Sequence, residues 1–240
     1  MEYFSKIKNK YKKFINFMFR EDLNFVKAIN ILNSRGINYW ACNGTALGLI
    51  RDKNLIPWDL DIDIGIWKNE TNILELEQIF KKEGFAKKKK FFHKDNLLSF
   101  TRSGGRDVDF NIHELCDDKN MCISKYYVHR NVLMRLIYVL SLAGNYKGNY
   151  KILINRFFFL KNLFLKLKEF LIIKNIFYKK GGYTVPTKLF KSFKILSVNG
   201  LKVIIPYYCI SYLIYLYGKN WKIPVKNYNW EKNKNFASNK

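Results

Sequence analysis

The chain has few of the residues that build disulfide frameworks or zinc sites. Its four cysteines, in 240 residues, show no paired C-x-x-C spacing, and its three histidines are not spaced as metal ligands. No Ser-His-Asp or Cys-His arrangement is visible in the sequence. We therefore expect free thiols in a reducing cytoplasm and no structural zinc.

Long apolar segments are also missing. The longest charge-free apolar run, residues 203–218, contains Pro206 and several tyrosines and is shorter than the roughly 20 residues that a membrane span requires. The N-terminus alternates Lys with Phe and has no apolar h-region or cleavage site, so we expect no secretory signal. These features predict a cytoplasmic protein that is not integral to a membrane, while a peripheral position at the inner face of the membrane stays open.

Acidic residues are scarce relative to basic ones. The chain carries 43 Lys and Arg against 19 Asp and Glu, a formal net charge of +24. A surface of this charge favours anionic partners, such as a nucleotide, a polyanionic glycan, nucleic acid or the negative face of a membrane. Hydrophobic residues make up 48% and aromatic residues 17%, a composition that excludes a disordered chain.

Several of the few acids concentrate in one segment. Asp59, Asp61 and Asp63 alternate with apolar residues at 60, 62 and 64, the period-two pattern of a half-buried strand. Three carboxylates on one face repel one another, and a hard cation relieves that repulsion. Mg²⁺ fits because it takes oxygen ligands from one or two carboxylates and leaves positions for water and substrate phosphates.

A calcium loop and a plain acidic edge strand are the alternatives for these acids. Asp59, Asp61, Asp63 and Glu70 fall at positions one, three, five and twelve of the EF-hand spacing. Position six of that loop requires glycine for its sharp turn, but the residue here is Ile64. The calcium loop is therefore disfavoured, and the edge strand is the remaining structural alternative.

A glycine turn precedes the acids. Residues 39–42 have the character of a short buried strand, Asn43-Gly44-Thr45 that of a tight turn, and residues 46–51 that of the first turns of a helix. Backbone N–H groups at such a turn point outward and bind anions. The segment therefore predicts a phosphate site beside a metal site.

A second acidic strand is predicted over residues 106–112. Asp107 and Asp109 alternate there with apolar residues. If this strand lies next to the first, either acid completes a cluster of three carboxylates drawn from two strands. Such a cluster is sufficient to hold Mg²⁺ and to orient an attacking hydroxyl.

The remaining pattern predicts helices around a mixed sheet. Apolar periodicity predicts helices over 21–32 and 72–82. Segments of strand length at 85–93, 97–101 and 106–112 are separated by turn residues and predict antiparallel hairpins. We expect an α+β fold, in which a mixed β-sheet is flanked by helices.

Three further segments complete the expected domain organisation. Residues 1–22 predict a basic amphipathic helix, residues 23–226 the main domain, and residues 227–240 a polar basic tail. Within the main domain, residues 131–180 predict a basic, aromatic-rich helical lobe inserted into the fold. The apolar faces of this lobe are typical of a core with a solvated rim, and a membrane-surface role is the alternative.

Two motifs bracket the main domain. The opening motif is residues 44–51, GTALGLIR, followed by residues 56–64, IPWDLDIDI. The closing motif is residues 203–206, VIIP, followed by residues 216–224, LYGKNWKIP. Together they resemble the LicD family, which includes the fukutin-type proteins. The opening motif is specific, and the closing motif is supportive.

The resemblance implies a nucleotidyltransferase-like fold and a phosphotransferase that depends on Mg²⁺, with Mn²⁺ as the alternative ion. It implies transfer of a phospho-alcohol, such as phosphocholine or a polyol phosphate, from a CDP-linked donor to a sugar hydroxyl of a cell-surface glycan. The expected partners are this donor and a glycan or lipid-linked glycan, as in capsule or lipopolysaccharide modification. Nucleic acid is not expected as a partner.

The resemblance also implies roles for particular residues. Asp61 and Asp63 would be metal ligands and Asp109 the third, with Asp59 as second choice; Asp109 would ligate the metal or accept the proton of the acceptor hydroxyl. The donor-binding residues would be Gly44, Thr45, Gly48 and Arg51. Thr45 departs from the family pattern, in which a second Gly or a Ser is common, but it keeps a hydroxyl. The alternative for Arg51 is an ion pair with Asp52 or Glu21.

Two other functions are compatible with the same residues. Nucleotidyl transfer to RNA or to a protein would use the same acids and is favoured by the net charge of +24. A non-catalytic basic adaptor that binds membrane or nucleic acid would need none of them. These alternatives differ in their products and in whether cytidine nucleotides bind with Mg²⁺.

Overall fold

The structure, a computed structural model, describes residues 22–88, 97–144, 146, 150–226, 228 and 236–238. The amphipathic helix expected over residues 1–22 lies outside the described residues apart from Asp22, and so does most of the expected tail. The strand expected over 85–93 lies partly outside them.

The secondary structure alternates between helices and strands along the chain. The helices are α1 (Leu23–Ser34), α2 (Asn43–Arg51), α3 (Ile73–Lys82), α4 (Val132–Ser141), α5 (Lys151–Asn155), α6 (Lys161–Ile173) and α7 (Cys209–Tyr217), with 3₁₀ turns at Phe158–Leu160 and Thr187–Phe190. The strands are β1 (Trp40–Ala41), β2 (Asp61–Trp67), β3 (Ala86–Lys87), β4 (Leu97–Thr101), β5 (Asp107–Leu115), β6 (Met121–His129), β7 (Tyr178–Pro186), β8 (Phe193–Val198), β9 (Leu201–Pro206) and β10 (Phe236–Ser238). No described helix has the length and apolar character needed to span a bilayer.

The chain divides into two compact units. The first, called here the sheet unit, comprises the described residues up to Ser124 and those from Tyr183 to Phe236. The second, called the helical unit, comprises the described residues of Lys125–Gly182 and the short stretch after Phe236. Strands β6 and β7 each pass from one unit into the other.

The sheet unit contains a mixed sheet flanked by helices, so the predicted α+β fold is confirmed. β2 and β5 are parallel neighbours, while β1 pairs with β2 and β4 pairs with β5 in antiparallel fashion. β3 pairs with β4 in antiparallel fashion, and β8 and β9 form a separate antiparallel pair. The β4–β5 pair confirms the predicted antiparallel hairpin.

Period-two alternation builds the core of the sheet unit. Ile62, Ile64 and Ile66 of β2 are fully buried, as are Val108 and Phe110 of β5. Their burial on one side leaves the alternate residues of both strands on the opposite side, as the sequence pattern predicted. The acids of these strands therefore lie on the face of the sheet that is opposite the buried apolar residues.

Two helix starts differ from the prediction because side chains cap or pin the backbone. α1 begins at Leu23 rather than at residue 21, because the Asp22 carboxylate accepts hydrogen bonds from the Asn24 and Phe25 N–H groups. α2 begins at Asn43, so residues 43–45 are not a separate turn. Asn43 has a φ of 44°, in the left-handed region that asparagine tolerates better than most residues.

The helical unit has a much smaller core. α4 and α6 pack on each other, and the buried apolar cluster consists of Ile137, Leu171 and Phe177. Asn131 caps α4, because its side chain accepts a hydrogen bond from the Met134 N–H at 3.0 Å. Much of the apolar surface of this unit is left exposed.

Candidate functional site

Four carboxylates occupy matched positions on neighbouring strands of the sheet unit. The parallel register of β2 and β5 places Asp61 opposite Asp107 and Asp63 opposite Asp109. Neighbouring strands lie about 4.8 Å apart, so the two pairs share one small area of the sheet surface. The expectation that the second acidic strand neighbours the first is confirmed.

Three hydrogen bonds fix the position of Asp63. Its Oδ2 accepts from the Gly44 N–H at 3.2 Å, and its Oδ1 accepts from the Asn111 Nδ2 at 3.0 Å. Its own N–H donates to the Thr45 Oγ1 at 2.7 Å. These three bonds tie β2 to the first turn of α2 and to β5, and they fix the direction of the carboxylate.

Asp59 approaches the same point from the turn before β2. A Cβ atom at position 44 would overlap the Asp59 Oδ2 and would lie 3.4 Å from the Asp63 Oδ2. A methyl group at 44 would therefore displace the Asp59 carboxylate, and both carboxylates face the first turn of α2. The Asp59 Oδ1 also accepts a hydrogen bond from the Leu60 N–H at 3.1 Å.

The two acids of β5 have different partners. The Asp109 Oδ1 accepts a hydrogen bond from the Ser99 hydroxyl on β4, where Ser99 is its register partner. Asp107 forms an ion pair with Lys88. Burial lowers the pKa of Lys88, but the hydrogen bond and charge of Asp107 outweigh it, so that the pKa is raised overall. Lys88 thus neutralises Asp107, which leaves Asp109 as the better candidate for a third ligand.

Electrostatics link the acids to one another. Burial raises the pKa of the Asp63 carboxyl well above its ordinary value, and the charge of Asp61 raises it further. Asp109 and Asp59 add smaller effects of the same sign, while the hydrogen bond from Asn111 acts in the opposite direction. A cation in this area would relieve the repulsion among the carboxylates.

The chemistry of these donors suits Mg²⁺, which prefers carboxylate oxygens and water. Among the described residues, no three His, Cys, Asp or Glu side chains converge in the arrangement of a metal site. An ion held by Asp61, Asp63 and Asp109 would therefore draw these carboxylates closer together than they lie here. The metal ligands stay a prediction.

The residues expected to bind the donor have structural partners within the chain. The Gly44 N–H and the Thr45 hydroxyl are both engaged by Asp63, and Thr45 is buried. A Cβ atom at Gly48 would lie 2.6 Å from the Asn54 carbonyl oxygen, so glycine there allows α2 to pack closely on the following loop. Their role toward a donor stays a prediction.

Arg51 makes the ion pair that the sequence left as its alternative. Its Nε and Nη2 donate to the two carboxylate oxygens of Asp52 at 2.8 and 2.7 Å, a bidentate contact. This hydrogen bonding raises the pKa of Arg51. A donor phosphate would have to compete with Asp52 for the guanidinium.

Sequence reasoning missed two groups that shape the site. Asn111 follows Asp107 and Asp109 at the same period of two, so the alternation itself could have identified it as a neighbour of the acids. Tyr212 lies between the two parts of the closing motif. Its hydroxyl donates to the Asn43 Oδ1 at 2.9 Å and accepts from the Asn43 N–H at 3.1 Å. It thereby holds the residue that precedes Gly44, and no local pattern predicts such a contact.

The stretch that carries this geometry also matches a family model. Residues 36–133 match the model described as LicD/FKTN/FKRP, nucleotidyltransferase domain. The matched segment contains β2, β5, the first turn of α2 and every acid of the carboxylate cluster. The resemblance to the LicD family inferred from the motifs is confirmed by this match.

Similarity to individual proteins extends over more of the chain at lower identity. Ribitol-5-phosphate transferase FKTN of Homo sapiens is 23% identical over 207 residues, which are 85% of this chain and 34% of that protein. Its counterpart in Macaca fascicularis is 24% identical over the same length. Ribitol 5-phosphate transferase FKRP of Homo sapiens is 36% identical over 56 residues, 23% of this chain and 11% of that protein. The chain thus spans about a third of the length of the FKTN proteins it matches.

Proposed function

Because residues 36–133 resemble the LicD/FKTN/FKRP nucleotidyltransferase domain, we propose that this chain is a phosphotransferase. It moves a phospho-alcohol from a CDP-linked donor to a sugar hydroxyl of a cell-surface glycan, such as a capsule or lipopolysaccharide. The names of the FKTN and FKRP relatives make ribitol 5-phosphate the first candidate for the transferred group, with phosphocholine and other polyol phosphates as alternatives. The reaction takes place in the cytoplasm.

One observation carries this proposal. The register of β2 and β5 brings Asp61, Asp63 and Asp109 onto adjacent positions of one sheet surface, where burial first, and the charges of the neighbouring acids second, raise the pKa of Asp63. A plain acidic edge strand would not explain why partly buried hydrogen bonds from Gly44 and Asn111 hold one of these acids in place. Such support is typical of a carboxylate that must keep one direction.

Each residue of the cluster has a role in the proposed reaction. Asp61, Asp63 and Asp109 would hold Mg²⁺, or Mn²⁺ as the alternative, and Asp59 could replace one of them. The ion would neutralise charge on the transferring phosphoryl oxygens. Gly44 and Asn111 orient Asp63. Asp109, which accepts a hydrogen bond from Ser99, would either ligate the ion or accept the proton of the acceptor hydroxyl.

The proposal is tested by measuring transfer from CDP-ribitol and CDP-choline to a purified glycan acceptor, with and without Mg²⁺. Asp61→Asn and Asp63→Asn should each lower kcat at least a thousandfold while the chain stays folded by circular dichroism. Asp117→Asn, in an exposed turn, is the matched control and should keep normal turnover. Retained turnover in Asp61→Asn would refute the assignment.

Nucleotidyl transfer to RNA or protein is the second candidate, because the matched family model describes a nucleotidyltransferase domain and the chain carries a net charge of +24. Incubation with labelled CTP or ATP and tRNA separates the two functions. A phosphotransferase leaves the tRNA unlabelled, whereas a nucleotidyltransferase labels it. A non-catalytic adaptor would show no Mg²⁺-dependent binding of cytidine nucleotides by calorimetry.

A further inference from the structure

The helical unit carries almost no negative charge. Between residues 125 and 182 the sequence contains a single acid, Glu169, against twelve Lys and Arg residues. The sheet unit, in contrast, contains the acids of β2 and β5 and most of the other carboxylates of the chain. Any large partner of the helical unit is therefore expected to be anionic.

The outer face of α6 is both apolar and basic. Leu163, Leu167 and Phe170 recur at helical spacing along this face and are 61%, 37% and 54% exposed. Ile173 extends the row and is 77% exposed, while Lys166 and Lys174 are exposed beside it. We call these six residues the α6 face.

The opposite side of the same helix is already used for packing. Leu171 is buried in the cluster with Ile137 and Phe177, and Phe164 packs against that cluster. The apolar residues of the α6 face are therefore surplus to the core of the helical unit. Exposed apolar rows of this kind, flanked by cations, mark interaction surfaces.

The arrangement of the cations favours a lipid surface. The Lys174 ammonium lies 5.8 Å from the centre of the Phe170 ring, so charge and apolar surface meet within one helical turn. Lysine stems can lie along apolar surface while their ammonium groups reach phosphates at the level of lipid headgroups. At 13 residues the helix is about 20 Å long, which suits a position in the plane of the interface.

We propose that the α6 face docks on the surface of an anionic phospholipid bilayer. Its Leu, Phe and Ile side chains enter the boundary between headgroups and acyl chains, and its lysines contact lipid phosphates. A second copy of the chain is a poor occupant, because two surfaces of the same strong charge repel each other. Nucleic acid is disfavoured because three of the four apolar residues are aliphatic, whereas single-stranded binding relies on aromatic stacking.

The test is flotation of the full chain with vesicles of phosphatidylcholine alone or with 30% phosphatidylglycerol, without donor or acceptor. The chain should bind the anionic vesicles at least tenfold more tightly than the neutral ones. The variant Leu163→Ser/Phe170→Ser should lose at least tenfold in partitioning, and Lys166→Gln/Lys174→Gln roughly fivefold per lysine at low salt. Leu74→Ser/Lys81→Gln, which changes exposed residues of α3, is the matched control and should bind within twofold of the unchanged chain.

Equal binding by the apolar variant and the control would overturn the proposal, because net charge alone would then explain the attraction. Binding to single-stranded RNA that the apolar variant abolishes, with no vesicle binding, would replace lipid by nucleic acid as the partner. Neither measurement depends on catalysis, so the proposed transferase could fail while the membrane contact holds, or the reverse.

Discussion

The sheet unit and the helical unit differ in how they use charge and apolar surface. The sheet unit buries its large apolar side chains around β2 and β5, and it gathers acids at one part of the sheet surface. The helical unit has a buried apolar cluster of three residues and exposes many large apolar side chains among cations. This difference is the reason that we propose an ion site in the sheet unit and a docking surface in the helical unit.

The largest expected effect is on the core of the sheet unit. Phe110 is fully buried, with the rings of Phe80 and Phe100 at centroid distances of 5.0 and 5.9 Å. Phe110→Ala should therefore cost about 3–5 kcal/mol of unfolding free energy, measured by urea denaturation. Phe177→Ala should instead lower hydrogen-exchange protection within residues 125–182 and leave α1, β2 and β5 protected. If Phe177→Ala lowered hydrogen-exchange protection in the sheet unit as well, the two units would not differ in stability as proposed.

A second prediction concerns pH. His113 is buried in the sheet unit, and burial lowers its pKa to about 4. Between pH 6.5 and pH 4 the unfolded chain binds a proton at this residue that the folded chain does not, so acidification favours unfolding. The unfolding free energy should fall by roughly 3 kcal/mol over this range.

The control for this pH effect is replacement of the histidine. His113→Gln should remove the contribution of this residue, so that the unfolding free energy falls by roughly 3 kcal/mol less between pH 6.5 and pH 4 than it does in the unchanged chain. His129, in the helical unit, also has a lowered pKa, mainly through burial and partly through the charge of Arg135. His129→Gln should leave the His113 contribution in place, and an identical loss of slope in both variants would show that the two sites are not separate.

The third prediction addresses the contact between Gly44 and the acids. Gly44→Ala places a methyl group against the Asp59 Oδ2, so it should destabilise the sheet unit by about 1–3 kcal/mol. It should also reduce transfer at least tenfold by displacing Asp63. The double variant Gly44→Ala/Asp59→Ala removes the overlapping oxygen and should recover most of the stability. If the double variant instead lost as much unfolding free energy as the two single variants added together, the contact between position 44 and Asp59 would be contradicted.

The smallest effects come from a matched pair of helix caps. Asn72 caps α3 in the sheet unit, where its side chain accepts from the Glu75 N–H at 3.3 Å, and Asn131 caps α4 in the helical unit. Each change to Ala should cost about 1 kcal/mol. The Asn72 variant should shift the main unfolding transition, whereas the Asn131 variant should shift only the exchange of the helical unit. A shift of the main transition by both would mean that the units unfold together.

Local patterns predicted much of the candidate site. The acids of β2 and β5 alternate with apolar residues, and a period of two depends only on neighbouring residues along a strand. The ion pair of Arg51 with Asp52 was also within reach, because the two residues are adjacent. The start of α2 was wrong by three residues, since it depends on Asn43 in a left-handed conformation that a distant tyrosine supports.

Contacts between distant segments account for what could not be predicted. The bonds between Tyr212 and Asn43 join residues 169 positions apart, and the ion pair of Lys88 joins the residue that follows β3 to Asp107 of β5. The family resemblance had implied Asp109 rather than Asp107 as the third ligand, and the pairing of Lys88 with Asp107 is a separate reason for the same choice. No periodicity within one segment contains that information.

Residue order alone therefore specified the acidic strands, the glycine motif, the mixed α+β composition and the basic character of the helical segment, because these follow from spacing and composition. Folding of the whole chain set the register of Asp61 and Asp63 against β5. It also set the hydrogen bonds from Gly44 and Asn111 to Asp63, and the exposure of the α6 face. The physical reason is that strand pairing and burial depend on contacts between segments that are distant in the sequence. Local spacing does not specify which of these segments pack together.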